Sequence, residues 1–106
     1  MPSSSTTLDP QALRDAAGHA VAALKLLANE EWLLLLCQLS QGEQCVSDLE
    51  VALGIRQPTL SQQLGVLRNE GVVNTRRQGK QIFYSVADDR LLQILALLAE
   101  LYCPKD

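Results

Sequence analysis

Apolar residues recur at helical spacing along most of this chain, and the breaks between them fall at residues that start or stop helices. Asp9 followed by Pro10 opens the first helix, since the aspartate can accept from orphan amides and proline's missing N–H costs little in a first turn. Leu13, Ala16, Ala17, Ala20, Val21, Leu24 and Leu27 then mark one apolar face. The alanines Ala12, Ala16, Ala20 and Ala23 on this helix permit close approach of another helix, from its own core or from a partner chain. Asn29 caps a second helix whose stretch from Trp32 to Leu39 is apolar nearly all round, so it is expected to be deeply buried. The polar segment Ser40-Gln41-Gly42-Glu43 ends it. A short third helix over 45–53 is closed by Gly54, and after Ile55-Arg56-Gln57 a fourth begins with Pro58 in its first position. Leu60, Leu64 and Leu67 form the buried side of that fourth helix, which ends at Gly71.

Beyond Gly71 the period changes. Segments 72–77 and 81–86 alternate, with Ile82, Tyr84 and Val86 on one face, around Arg77-Gln78-Gly79-Lys80, which predicts a β-hairpin with Gly79 in the tight turn. Asp88 or Asp89 caps a final helix in which Leu91, Leu92, Ile94, Leu95, Leu97, Leu98 and Leu101 leave too little polar surface for solvent exposure. A small domain has little core with which to cover such a helix, and a two-fold dimer packing the first and last helices on their mates is the simplest cover. Residues 1–8 carry little to bury and are expected to form a disordered tail ahead of one domain over 9–106.

The composition fits that outline. At 106 residues, 47% apolar and 4% aromatic, the chain suits a single, mainly α (α+β) domain better than an aromatic-rich sheet. The longest apolar run, Trp32 to Cys37, is six residues, against about 20 for a bilayer span. The first residues have neither a basic nor an apolar signal region, so a cytoplasmic chain without membrane contact is expected. In that compartment Cys37, Cys45 and Cys103 read as free thiols. No catalytic constellation and no cofactor motif is evident, so the chain does not read as an enzyme.

The net charge of −3 hides a partition. Between Arg56 and Lys80 five basic residues face one acid, +4, and the remainder carries −7. A basic face on an acidic body suits a local anionic partner. It coincides with a short helix, a three-residue turn, a second helix with a polar outer face and a basic hairpin, which is the order of a winged helix-turn-helix. In that architecture the second helix enters the major groove of double-stranded operator DNA. Gln57, Thr59, Ser61, Gln62 and Gln63 are candidates for base edges, and Arg56, Arg68, Arg76, Arg77 and Lys80 for phosphates or the minor groove.

The run Arg56-Gln57-Pro58-Thr59-Leu60-Ser61-Gln62-Gln63-Leu64-Gly65-Val66-Leu67-Arg68, with Gly71-Val72-Val73 and Arg76-Arg77, resembles the ArsR/SmtB family of bacterial repressors over roughly residues 10 to 103. The resemblance implies five helices with a hairpin wing between the fourth and fifth, and a homodimer built through the first and last helices. It also implies an operator that is silenced until an inducer changes the dimer. Many members of the family sense metals, but its Cys-Val-Cys pattern stands here as Cys45-Val46-Ser47. The last helix has no histidine, and His19 lies on the first, so no metal ligand set is assigned. A metal-responsive repressor using the thiolates of Cys37, Cys45 and Cys103 is the alternative, and an interaction module that has lost DNA binding is a third reading. Cys37 within Leu36-Cys37-Gln38-Leu39 and Cys103 within Leu101-Tyr102-Cys103-Pro104 are similar to the thiol pair of the BigR, SqrR and YgaV branch. The resemblance to that branch implies sensing of sulfane sulfur or an oxidant, with DNA released when the pair is bridged. Cys45 competes as the first attacker, because a helix N-cap position favours thiolate.

Overall fold

The computed structural model describes residues 9–103. The tail expected over 1–8 lies outside the described residues.

Helix α1 spans Pro10–Leu27, with Asp9 accepting from the Ala12 amide at 3.3 Å and proline at the first position. Only Leu27 of this helix is buried, with Ala23 and Leu26 half-buried, so most of its apolar face meets no part of its own chain. Helix α2, Glu30–Ser40, starts where Asn29 Oδ1 accepts from the Trp32 amide at 3.1 Å, and its two leading glutamates complement the positive end of the helix dipole. Leu35, Leu36 and Leu39 are buried, Trp32, Leu33 and Cys37 are half-buried against the same core, and Leu34 is exposed.

The chain then makes strand β1, Gln44–Cys45, before helix α3, Val46–Leu53. The sequence reading placed Cys45 at the start of a helix; the structure gives it to a strand end that also caps α3. Two residues are too few to carry a period of two. The strand exists because it pairs antiparallel with a segment almost forty residues on, Gln44 with Tyr84 and Cys45 with Phe83.

Gly54 closes α3 in the left-handed region at φ 69°, where a side chain would be strained. Helix α4 spans Gln57–Asn69 with Arg56 at its N-cap, so it begins one residue earlier than expected and Pro58 is its second residue. The shift costs nothing, because the first four amides of a helix lack intrahelical acceptors and proline's missing N–H is still among them. Gly71, at φ 74°, turns the chain out of α4. Strands β2, Val73–Gln78, and β3, Gln81–Val86, follow, with β2 one residue later than expected. They pair antiparallel from Val73 with Val86 to Gln78 with Gln81, and the sheet order is β1-β3-β2. Helix α5, Asp89–Tyr102, is capped by Asp88, which accepts from the Arg90 amide at 2.8 Å.

The fold is thus five helices and a three-stranded antiparallel sheet in the winged helix-turn-helix arrangement. Its fully buried large side chains are all leucines: Leu35 and Leu36 of α2, Leu49 of α3, Leu60, Leu64 and Leu67 of α4, and Leu95 of α5. No buried side-chain polar atom among the described residues lacks a partner. Leu64→Ala is expected to destabilise the protein by about 2–5 kcal/mol, the cost of a buried cavity. Urea unfolding monitored by circular dichroism checks this, and a loss below about 1 kcal/mol would contradict the packing described.

Candidate nucleic-acid interface and thiol pair

The leucines of α4 fix its orientation. With Leu60, Leu64 and Leu67 on the core, Gln57, Thr59, Ser61, Gln62 and Arg68 are exposed, as is Arg56 at the cap. Gln63 differs from the other candidates. It is half-buried, and its Oε1 accepts a hydrogen bond from the indole N–H of Trp32 on α2. Gln57 and Ser61 also line a polar cleft of about 340 Å³ with Ser47, Lys80 and Tyr84, where α3, α4 and the hairpin meet.

The wing separates two arginines that the sequence reading treated alike. Register puts Arg76 opposite Phe83 and Arg77 opposite Ile82, and neighbours in a strand point to opposite faces. Arg76 is engaged within its own chain. Its Nη2 and Nε donate to the two carboxylate oxygens of Glu43 at 2.7 and 3.0 Å, its Nη1 donates to Gln78 Oε1 at 2.8 Å, and its guanidinium sits 5.0 Å from the Phe83 ring centroid. Arg77 and Lys80 are exposed on the hairpin and make no ion pair among the described residues. Nothing local in the sequence marks Glu43 as a partner of Arg76, because the two lie 33 residues apart and meet only through the sheet.

The three thiols occupy different environments. Cys37 is half-buried in α2, and α2 packs against α5, at whose end Cys103 is exposed. Burial raises the pKa of Cys37 above that of an ordinary thiol, and the negative charge of a Cys103 thiolate raises it further. Cys45 is the N-cap residue of α3, but it is only 5% exposed and makes no side-chain bond to the helix backbone. Its Sγ lies 3.2 Å from Ser47 Oγ and 3.3 Å from an Asp48 carboxylate oxygen, to which it donates. The structure therefore sets Cys37 and Cys103 on two helices that pack against each other, and it shields Cys45 from an incoming reagent. Among the described residues no three His, Cys, Asp or Glu side chains converge as a metal site. The donor set around Cys45 is one thiol and one carboxylate, which does not suit a soft metal.

The Glu43–Arg76 pair makes the wing acid-sensitive. The hydrogen bonds from Arg76 lower the pKa of Glu43, against a smaller desolvation effect and with a further Coulombic contribution. A carboxylate depressed in the folded state adds stability that is complete above its unfolded value and lost as pH falls through the folded one. Glu43→Gln is therefore expected to be slightly less stable than the parent at neutral pH and equal to it once pH falls well below about 4. Parallel urea titrations across that range check it, and a stability gap that persisted in acid would contradict the assignment.

Comparison with known proteins agrees with this geometry. Residues 29–75, from the cap of α2 into the wing, match the family described as bacterial regulatory protein, arsR family. The biofilm growth-associated repressor of Agrobacterium fabrum is 49% identical over 92 residues, 87% of this chain and 79% of that protein. The transcriptional activator HlyU of Vibrio cholerae is 38% identical over 93 residues, 88% of this chain and 86% of that one. The crystal structure of the transcriptional repressor BigR from Xylella fastidiosa superposes with a TM-score of 0.81 at 41% identity, covering 92% of this chain and all of that one. With its recognition helix, wing and core in the same order, the chain belongs to the arsR family of bacterial transcriptional regulators.

Proposed function

We propose that this chain is a homodimeric repressor that holds double-stranded operator DNA through α4 and the wing, and lets it go when Cys37 and Cys103 are bridged by sulfane sulfur. What supports the reading is the packing of α2, which carries Cys37, against α5, which Cys103 follows, in a chain whose relatives are named as transcriptional regulators. Exposed Arg56, Gln57, Thr59, Ser61, Gln62 and Arg68 form the DNA face of α4, with Arg77 and Lys80 reaching a phosphate or the minor groove from the wing. Arg76 supports the wing through Glu43 and contributes to DNA binding less directly. The exposed apolar residues Leu13, Val21 and Leu24 on α1, and Leu97 and Leu101 on α5, support a second copy as their cover.

The chemistry balances without an external oxidant when the inducer is an organic trisulfide. A Cys103 thiolate attacks the central sulfur and expels one thiolate, leaving that sulfur bound to Cys103 and to the remaining organic group. Cys37 attacks the same sulfur and expels the second thiolate. The protein gains one sulfur and loses two hydrogens, and two thiols leave. Exposure makes Cys103 the first nucleophile, while burial keeps Cys37 protonated for longer, so it attacks second, within the mixed polysulfide and with its proton passing to the departing thiolate.

Three measurements test this. Iodoacetamide at neutral pH should label Cys103 first, with Cys37 catching up only as pH rises past the ordinary thiol range of about 8.5. Peptide mass spectrometry reads the order, and labelling of Cys45 ahead of Cys103 would reverse the assignment. Dimethyl trisulfide should release the parent protein from a duplex that it has itself selected from random-sequence DNA. The Cys37→Ser, Cys103→Ser double variant should bind that duplex equally well and ignore the trisulfide, and undiminished release of the double variant would reject the switch. On the same duplex, Arg77→Gln with Lys80→Gln should weaken binding and flatten its dependence on salt.

A further inference from the structure

Among the described residues, one side-chain hydrogen bond joins two helices, and it belongs neither to the thiol pair nor to the exposed face of α4. The indole N–H of Trp32, in the first turn of α2, donates to Gln63 Oε1, midway along α4, and both side chains are half-buried. The backbone of Trp32 is held in turn by the Asn29 cap at 3.1 Å, so the indole projects from a fixed helix end. An indole nitrogen only donates, and it therefore engages the carbonyl end of the Gln63 amide. Reading adenine bidentately needs both ends of that amide turned to the base edge, whereas the indole turns the carbonyl end towards α2. Gln63 also flanks the buried leucine stripe, one residue before Leu64, whereas Thr59, Ser61 and Gln62 are exposed.

The leucines and the hydrogen bond do different things. Burial of Leu60, Leu64 and Leu67 is strong but non-directional: it decides which face of α4 meets the core and leaves the fine rotation of the helix about its own axis to other contacts. A hydrogen bond from a half-buried ring to one side chain of α4 is directional and does restrain that rotation. Rotation of α4 decides which side chains meet the groove. The same α2 carries Cys37, about one and a half turns beyond Trp32, so a displacement of α2 at the thiol reaches α4 through this bond.

We propose that Gln63 is a positioning residue: anchored by Trp32, it sets the fine rotation of α4 on its leucine stripe and acts on DNA by aiming the exposed residues of that helix, not by touching a base. This inference rests on the reading that α4 enters DNA. Gln57, Thr59, Ser61 and Gln62 are left as the base-reading set.

A double-mutant cycle on the duplex selected by the parent protein tests it. Gln63→Met removes the acceptor at similar length, and Trp32→Phe removes the donor while keeping an aromatic ring on the core. Each is expected to weaken binding roughly fivefold, and the double variant no more than the larger single loss, because both break one bond. Losses that multiply, or a loss for Gln63→Met with none for Trp32→Phe, would mean that Gln63 contacts DNA itself and would overturn the proposal. Two neutral variants would overturn it as well. A second readout does not depend on the folding of the Trp32 variant. Trp32 is the only tryptophan, so its indole N–H gives a single resonance in nitrogen-15-labelled protein. That resonance is expected to move upfield in Gln63→Met and to shift in the parent when the selected duplex is added. A resonance unmoved by Gln63→Met would overturn the proposal. A parent chain that selects no duplex would sink the DNA-binding reading and this one with it, whereas multiplying losses on a bound duplex would overturn the positioning role alone.

Discussion

The burial of α2 is the constraint on which the rest of the molecule depends. Its run of leucines leaves no continuous polar face to offer water, so it must be surrounded, and the chain surrounds it with α1, α3, α5 and strand β3. Each of those contacts fixes a part that matters for function. Packing on α5 brings Cys37 towards Cys103, and the indole of Trp32 reaches the recognition helix. The sheet contact steadies the strand from which the wing extends. A helix buried on several sides cannot move towards one neighbour without disturbing the others, because close-packed interiors transmit small displacements. The proposed thiol switch and the proposed DNA interface therefore share one mechanical element, although they lie on different surfaces.

The elements of this fold were legible because the signals that define them are local. Asp9, Asn29, Asp88, Gly54, Gly71 and Gly79 each act within a few residues of their own position, and all stand at helix ends or turns as their chemistry requires. Boundaries slipped by a single residue at Gln57 and Val73, where the competing conformations differ little in energy. Strand β1 was not legible, since its two residues are a strand only by virtue of a partner at Tyr84 and Phe83. The candidate site divides in the same way. Exposure of Thr59, Ser61 and Gln62 follows from the leucine spacing of α4, but the engagement of Arg76 by Glu43 and of Gln63 by Trp32 spans 33 and 31 residues. Contacts at that range are products of the fold and leave no mark on the local pattern.

Charge reinforces the assignment of faces. The acid-rich remainder of the chain repels a polyanion, so in the proposed function a duplex would be steered to the segment around α4 and the wing, where Arg56, Arg68, Arg77 and Lys80 are exposed. The engagement of Arg76 sharpens that selectivity: a cation already neutralised by a carboxylate adds little non-specific attraction, while its stacking on Phe83 stiffens the hairpin that presents Arg77. Non-specific affinity rises with every uncommitted cation, whereas specific affinity depends on where each one is held. A wing with one arginine braced and its neighbour exposed favours the second quantity over the first.

The unequal settings of the two thiols determine where the strain of a bridge would fall. Cys37 sits within a helix locked among leucines, and its carbonyl is further held by the Ser40 hydroxyl at 2.6 Å. Cys103 follows the last turn of α5 in an extended conformation, tied to the helix, among the described residues, by one bond from its amide to the Ala99 carbonyl at 3.0 Å. A bridge between a rigid site and a weakly held one deforms the weaker, so the end of α5 gives way before α2 does. That end carries Leu101, 64% exposed, and Tyr102, 79% exposed, which in the proposed dimer would face a second copy. In the proposed dimer, local strain at Cys103 thus enters the subunit contact directly. Two recognition helices that must dock one helical turn of DNA apart have little tolerance for a change there. In the proposed switch, an α5 end held so lightly would let a small covalent change reach the DNA face without unfolding the core.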